Sequence, residues 1–451
     1  MSGLNTDLYQ LTMAAGYFAA AKTDEIATFE LLVRRLPEER NFLLAAGLAQ
    51  AVEYLQNLRF DAEAVDYLRS LAHFKNVPPE FFDFLTKLRF TGDLFAVPEG
   101  TPIFANEPLA IVRAPLVQAQ LVETSLLSMF AFQTMIASKA ARCIIASQGR
   151  PVIEFGSRRA HGPDAGILAG RAAYLGGCAG TSNAESGRRF GIPVFGTAAH
   201  SWTMAFPSEE ESFRALQQLL GNSTVFLLDT YDTIEAAYLV ADLGQPLWGV
   251  RLDSGDLVAL SRQVRRILDD AGLHDAKIFV TNDLNEWRIA ELLGAGAPLD
   301  AFGVGTELAT SFDAPALSAV YKLVELEHGK ALHYTAKFSA EKNTLPGSKQ
   351  IYRSADHDLI ALYSECDSSF DGVPLLRPVI VKGELIESLP SVSKLRSEAQ
   401  AAIAALPKAL LSLHESAAYS VEISPRILEL ADAVRQEHQL LRSDATPLAR
   451  T

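Results

Sequence analysis

Cysteine is scarce in this chain: three in 451 residues (Cys143, Cys178, Cys366), with no Cys-x-x-Cys pair and no metal-ligand spacing. That excludes a disulfide-stapled scaffold and a zinc–thiolate site, and a reducing, cytoplasmic setting is the simplest reading. Basic charge is also short. Lys and Arg number 40 against 54 Asp and Glu, a formal net charge of −14. A nucleic-acid or anionic-membrane binder presents the opposite field, so neither partner is expected. No apolar run approaches the roughly 20 residues that span a bilayer, and the first residues lack the basic stretch and apolar core of a secretory leader. There is no low-complexity tract, and no Gly-x-Gly-x-x-Gly turn follows a first strand. What is present is ordinary globular composition, 49% hydrophobic and 21% charged, in a chain long enough for one large domain and a smaller one.

Residues 6–21 read as a helix, with Thr6 as N-cap and Leu8, Leu11 and Ala15 at helical spacing. Thr28–Val33 alternates like a strand, and Gly47–Asn57 is helical. From Phe90 to Arg113, short runs rich in β-formers (Leu94–Val97, Thr101–Phe104, Leu109–Val112) between Pro and Gly turns predict a small sheet. Residues 116–147 read as a long apolar helical stretch. In the middle third, strand-like runs at Val152–Phe155, Pro193–Thr197, Val225–Asp229, Leu247–Leu252, Lys277–Thr281 and Ala301–Val304 alternate with helical patterns. The helical patterns are Asp164–Phe190, Ser208–Leu220, Thr233–Leu243, Asp256–Ala271 and Glu286–Leu293. Such a rhythm means βαβ units and a parallel sheet. Polar or glycine residues after nearly every strand, with the dinucleotide turn missing, favour a (β/α) barrel over an open doubly wound sheet.

Later, Ala319–Glu327 and Ala331–Phe338 read as an antiparallel pair joined through His328-Gly329-Lys330. A loop bearing Lys337, Lys342 and Lys349 follows, then strands near Gln350–Arg353 and Pro378–Lys382 and a hairpin at Val381–Leu385. These late strands are expected to rejoin the 90–113 sheet. Val392–Leu413 and Pro425–Leu441 read as helices, and the last residues as a frayed tail.

Five constellations fall just after predicted strands. Phe155-Gly156-Ser157-Arg158-Arg159 offers a stacking face and guanidinium groups for phosphate or carboxylate; the plain alternative is a core Phe with solvated arginines. Gly196-Thr197-Ala198-Ala199-His200-Ser201 places a histidine among small residues, suited to a general base, a general acid or a phosphorylated nucleophile. Asp229 ends a strand, where a carboxylate can orient the histidine or hold hydrated Mg²⁺; Asp232 suits the next helix's N-cap better. Arg251 and Asp253 lie on one side of their strand by its two-residue period, for a ligand with an anionic group and hydroxyls, or else as an internal ion pair. Finally, Phe302-Gly303-Val304-Gly305-Thr306-Glu307 leaves backbone N–H groups bare for a phosphate. The residues imply a phosphorylated small molecule and leave the reaction open.

In this order, the same constellations resemble the nicotinate phosphoribosyltransferases. The likeness runs from Thr6-Asp7-Leu8-Tyr9-Gln10-Leu11-Thr12-Met13, through Glu154–Arg159, Gly196–Ser201, Val250–Asp256 and Gly303–Thr306, to Tyr321-Lys322-Leu323-Val324. It implies joining nicotinate to 5-phosphoribosyl 1-diphosphate on the salvage route to NAD, with ATP hydrolysis coupled through a phosphohistidine at His200. It also implies that Tyr9, from the partner of a head-to-tail homodimer, and Phe155 sandwich the pyridine ring. Arg251 with Thr197 holds the nicotinate carboxylate. Arg158, Gly303, Gly305 and Thr306 contact the phosphoribosyl and diphosphate groups, Asp253 the ribose hydroxyls, and Asp229 braces His200. Mg²⁺ is expected to arrive with the diphosphate. The implied fold is α/β: a distorted, incomplete (β/α) barrel beside an α/β sandwich built from both chain ends. Residues 1–125 start the sandwich, 126–330 form the barrel-like catalytic domain, and 331–451 return to the sandwich and add C-terminal helices.

Ser182 occupies the position where related nicotinamide-using enzymes carry an Asp. A carboxylate there repels nicotinate, whereas a hydroxyl can donate to it. The rival readings are a quinolinate phosphoribosyltransferase, which needs neither ATP nor a phosphorylated histidine, a nicotinamide-using enzyme, and a non-catalytic barrel sensor. The chain is compact for the resembled family, which puts peripheral contacts in question.

Overall fold

The computed structural model describes residues 2–329, 331–338, 343–365 and 370–444. Lys330, Lys342, Cys366 and the tail from 445 onward lie outside them. The chain forms two units: Met1–Phe132, Ala316–Leu389 and Ser416–Thr451 in the first, Gln133–Pro315 and Pro390–Glu415 in the second.

The first unit is built on a seven-stranded sheet in the order Ala331–Tyr334, Ala319–His328, Ile26–Val33, Pro108–Pro115, Asp93–Ala96, Arg377–Val381, Glu384–Leu385. Neighbouring strands are antiparallel throughout. Four of the late strands thus do return to the 90–113 sheet, one pair at each edge, whereas Lys349–Arg353 does not: it lies in a separate four-stranded sheet in the order Val373–Pro374, Lys349–Arg353, His357–Leu362, Ser420–Ile423. Ile26–Val33 is almost wholly buried and lies inside the sheet; Phe29 stacks on Tyr321 at 4.7 Å and joins a core with Leu94, Val112 and the surrounding helices. The first helix is Leu8–Ala19, so Asp7 rather than Thr6 stands at the cap position, its carboxylate accepting from Thr124 Oγ1 at 2.8 Å. The stretch 116–147 is two helices, Leu116–Leu121 and Glu123–Ala146.

In the second unit six parallel strands lie in the order Gly180–Thr181, Val152–Glu154, Ala301–Val304, Lys277–Val280, Gly249–Leu252, Val225–Leu227. From Val225–Leu227 onward each βα step moves one place in the same sense. The order never reverses, so there is no switch point of the doubly wound kind. Gly180–Thr181 and Val225–Leu227 remain edges, and no closed barrel forms among the described residues.

Four expectations fail here. Pro193–Thr197 is not a strand; a single bridge, Thr181 to Val194, is all that forms. The helix expected over 164–190 is two, Pro163–Leu175 and Ala184–Phe190, with Gly180–Thr181 between them. Gly177, at φ +115°, takes the backbone out of the helical region, and Asn183 restarts a helix by accepting from Ser186 N at 2.8 Å. Ser208, Asp232, Asp256 and Asn285 cap four further helices in the same way. Helix Val392–Ala404, expected in the returning sandwich segment, belongs to this unit instead. Its Arg396 donates to Gly177 O and Cys178 O at 2.8 and 2.9 Å, taking up carbonyls freed where helix Pro163–Leu175 ends. It stops before Leu406-Pro407, short of the predicted Leu413. No helix among the described residues is long and apolar enough to cross a membrane.

Candidate active site

Parallel strands end on one side of their sheet, and the residues just beyond supply the site. Arg251 and Asp253 leave the end of Gly249–Leu252 on the same side, with Nη2 3.0 Å from Asp253 Oδ1. Nη1 donates to Thr197 Oγ1 at 2.8 Å and Nε to Thr281 Oγ1 at 2.9 Å. Thr281 donates in turn to Asp253 Oδ1. A guanidinium has five N–H groups; Nε and Nη1 are directed at hydroxyls and Nη2 faces Asp253, which does not use up the donors a carboxylate could take. A further contact from Nη1 to Ala198 O is at the limit, 3.5 Å. Arg251 is 12% exposed, so its charge acts with little screening by water. The internal ion pair therefore exists and still leaves N–H capacity, chiefly on Nη2, for a ligand.

His200 is the first residue of helix His200–Met204. Its Nδ1 lies 3.2 Å from Thr230 Oγ1, and its Nε2 lies 3.8 Å from Asp253 Oδ2, beyond hydrogen-bond range but close in charge terms. One carboxylate thus faces both Arg251 and His200. Thr230, next to the Asp229 expected to brace the ring, is the residue within hydrogen-bond distance of it. Asp229 instead accepts from Ser254 Oγ through Oδ2, while its Oδ1 is buried without a partner.

Phe155 follows strand Val152–Glu154, meets Phe279 edge-on at 5.5 Å and packs over Ile153, Phe279 and Ala301. It is half-buried, so one part of the ring is core and another is free. Gly303 beneath it has a spatial reason: a Cβ there would stand 2.6 Å from Thr281 Cγ2 and 3.1 Å from the Phe155 ring. The N–H groups of Gly305, Thr306 and Glu307 have no acceptor among the described residues. Helix Thr306–Ala309 is a single turn, so these bare amides, rather than a long helix dipole, are what it offers an anion. Arg158 is exposed, in the turn Ser157–Arg159. Ser182 is exposed beyond Gly180–Thr181, its N–H donating to Glu154 O at 2.9 Å. Tyr9 lies in the first unit, on helix Leu8–Ala19, 49% exposed.

Sequence reading assigned no role to four groups. Thr281 ends a predicted strand and Thr230 follows one, which was a usable signal. Glu154 is fully buried; it accepts from Thr181 Oγ1 at 2.6 Å and from Gly156 N, tying two strand ends together. Burial pushes its carboxyl above the usual range, and the two donors pull it back only partly. Lys139, also fully buried, lies 2.5 Å from Glu286, 2.8 Å from Asp313 and 3.7 Å from Glu307. Burial alone lowers an ammonium pKa; here Glu286 and Asp313 outweigh it and hold Lys139 above the usual value. Glu307 adjoins Thr306, so the network braces the Gly303–Thr306 turn from beneath. A lone Lys inside the apolar helix Glu123–Ala146 was the only sequence hint.

Three family descriptions match: the nicotinate phosphoribosyltransferase N-terminal domain over residues 4–131, the nicotinate phosphoribosyltransferase family over 151–351, and its C-terminal domain over 365–431. A nicotinate phosphoribosyltransferase of Mycobacterium tuberculosis is 44% identical over 442 residues, 96% of this chain and 94% of its own length. One of Bacillus subtilis is 40% identical over 392 residues, 83% and 79% of the two chains. The crystal structure of human nicotinic acid phosphoribosyltransferase superposes with a TM-score of 0.82 at 29% identity, covering 95% of this chain and 99% of that one. A nicotinate-nucleotide pyrophosphorylase from Pyrococcus furiosus, TM-score 0.73 at 24% identity, shares the fold. By three matches in register and relatives alike over nearly the whole length, the chain belongs to the nicotinate phosphoribosyltransferase family.

Proposed function

We propose that this chain joins nicotinate to 5-phosphoribosyl 1-diphosphate, releasing diphosphate and forming nicotinate mononucleotide, and that ATP hydrolysis is coupled to the reaction through phosphorylation of His200. The observation that carries the reading is the Arg251 fork, set by Thr197, Thr281 and Asp253. A buried, oriented guanidinium suits one carboxylate on a flat ring, and Phe155 supplies a stacking face. Exposed Arg158 and the bare amides of Gly305 and Thr306, with Gly303 leaving room, suit the phosphoribosyl and diphosphate oxygens. Asp253 can accept from ribose hydroxyls, and Ser182 can donate to a carboxylate. The open six-stranded sheet is read as a distorted, incomplete (β/α) barrel, its strands in unbroken cyclic order. Tyr9, exposed on the first unit, is read as the second ring-stacking group, offered to the partner site of a homodimer.

Departure of diphosphate from the anomeric carbon builds positive charge on the sugar, which preorganised carboxylates stabilise. A phosphoryl group on His200 would bring negative charge up to Asp253, 3.8 Å away, and through it act on Arg251. Phosphorylation then changes how the carboxylate clamp holds its ligand without touching the reacting carbon. No group of three or more metal-type side chains converges among the described residues. Mg²⁺ would accordingly be held mainly by diphosphate oxygens and water. The test is product formation from nicotinate and phosphoribosyl diphosphate, with and without ATP. Nicotinate mononucleotide should form and rise strongly with ATP; formation from quinolinate without ATP would instead support the decarboxylating rival.

A further inference from the structure

The first unit encloses a cavity of about 350 Å³ with no part in the chemistry above. Strand register explains its floor. Asp93 pairs with Arg113, Arg113 with Thr28, Thr28 with Glu325 and Glu325 with Tyr334, one cross-strand row over five strands. In the next row, Phe95 pairs with Ile111 on the same face. Tyr363, Leu362 and Leu376 supply apolar wall, and Ser348 and Ser364 supply hydroxyls. The size and the apolar, aromatic lining with a few polar groups are those of a small-molecule site.

Partner accounting decides what it holds. Lys349, at the base, is spent: its ammonium donates to Glu30 at 2.7 Å and to the carbonyls of Leu345 and Gly347. Arg113 is shared, donating to both Glu327 oxygens at 2.7 and 2.9 Å with Asp93 at 3.9 Å. Glu325 has only the Ser348 N–H, at 2.6 Å on Oε1, and no cation pairs with it among the described residues. On the floor, Glu325 is therefore a carboxylate with no cation on it among the described residues. Phe95 and Tyr363, their rings 5.6 Å apart and inclined at 60°, line the same space as Tyr334. An acid among aromatic rings selects a cation on a flat or apolar body.

We propose that this cavity is a second binding site, for a small organic cation, with the amidinium or ammonium group on Glu325 and the ring between Phe95, Tyr363 and Tyr334. The site is separate from the Arg251 clamp in chemistry as well as in sequence, since the clamp selects an anion.

Titration calorimetry on the full-length protein tests this with benzamidine as cation and benzamide as its neutral isostere. Benzamidine should bind saturably with one site per chain, and benzamide at least about tenfold more weakly. Glu325→Gln keeps an oxygen for the Ser348 N–H and removes the charge; it should weaken benzamidine by about tenfold or more and leave benzamide unchanged. Leu332→Trp, at a 42% exposed strand position lining the cavity, fills the space and should abolish binding of both. Absence of saturable benzamidine binding, equal affinity for benzamide, or binding indifferent to both substitutions would each overturn the assignment.

Discussion

Replacing Thr281 by Val removes a single hydroxyl from the centre of the carboxylate clamp. The side chain is 4% exposed, and Val preserves its shape and its preference for extended backbone. The hydroxyl accepts from Arg251 Nε at 2.9 Å and donates to Asp253. A hydrogen bond to a charged group contributes about 1.5–3 kcal/mol. Both partners keep other contacts, Arg251 to Thr197 at 2.8 Å and Arg251 to Asp253 at 3.0 Å, so the loss is one such bond rather than two. That converts to a fall of roughly 10- to 150-fold in kcat/KM for nicotinate. Steady-state rates at saturating phosphoribosyl diphosphate and ATP measure it, with Thr281→Ser as the rescuing variant. A Val variant that keeps the wild-type kcat/KM and melts normally would refute the idea that Thr281 sets the guanidinium.

Ser182→Asp should shift preference from nicotinate toward nicotinamide, read as the ratio of the two kcat/KM values; an unchanged ratio counts against the acid-versus-amide argument. Gly303→Ala forces a methyl to within 2.6 Å of Thr281 Cγ2 and 3.1 Å of Phe155, an overpacking cost of about 1–3 kcal/mol, and should raise KM for nicotinate and phosphoribosyl diphosphate together. Lys139→Met removes the buried ammonium that lies 2.5 Å from Glu286 and 2.8 Å from Asp313, while Arg142 still reaches Glu286 at 2.7 Å; it should destabilise the fold by up to about 3–5 kcal/mol in denaturant titration. Glu107, fully buried, has its carboxyl pushed well above the usual range, first by burial and then by Asp358. The folded form thus holds the proton more tightly than the unfolded chain, so Glu107 favours folding below its ordinary pKa near 4.5 and costs stability as pH rises above it. Glu107→Gln should therefore raise the melting temperature more at pH 8 than at pH 5; the reverse order contradicts the sign.

The strand ends were legible because chemistry and periodicity coincide there: Arg251 and Asp253 emerge together simply by being two apart, and Gly303 and Thr306 follow an apolar run. The alternation of strands and helices likewise fixed a parallel sheet from Val225 to Val304. The strand at Gly180–Thr181 was hidden because two residues carry no period, and the small-residue stretch around it reads as helix. Pro193–Thr197 has strand composition but finds only one bridging partner, Thr181. Thr230 and Thr281 escaped because a hydroxyl's role depends on which distant group faces it. Asp229 and Thr230 are neighbours in sequence, yet only Thr230 meets the imidazole. No local pattern announces that Glu325 and Tyr334 share a row with Asp93, since register across five strands is a property of the assembled sheet.

Coupling to ATP rests on His200 as the phosphoryl acceptor beside the clamp. Brief incubation with γ-labelled ATP and Mg²⁺, followed by protein precipitation and acid treatment, should give acid-labile label on the wild type and none on His200→Ala. Label that survives acid, or label retained by the His200→Ala protein, would contradict it.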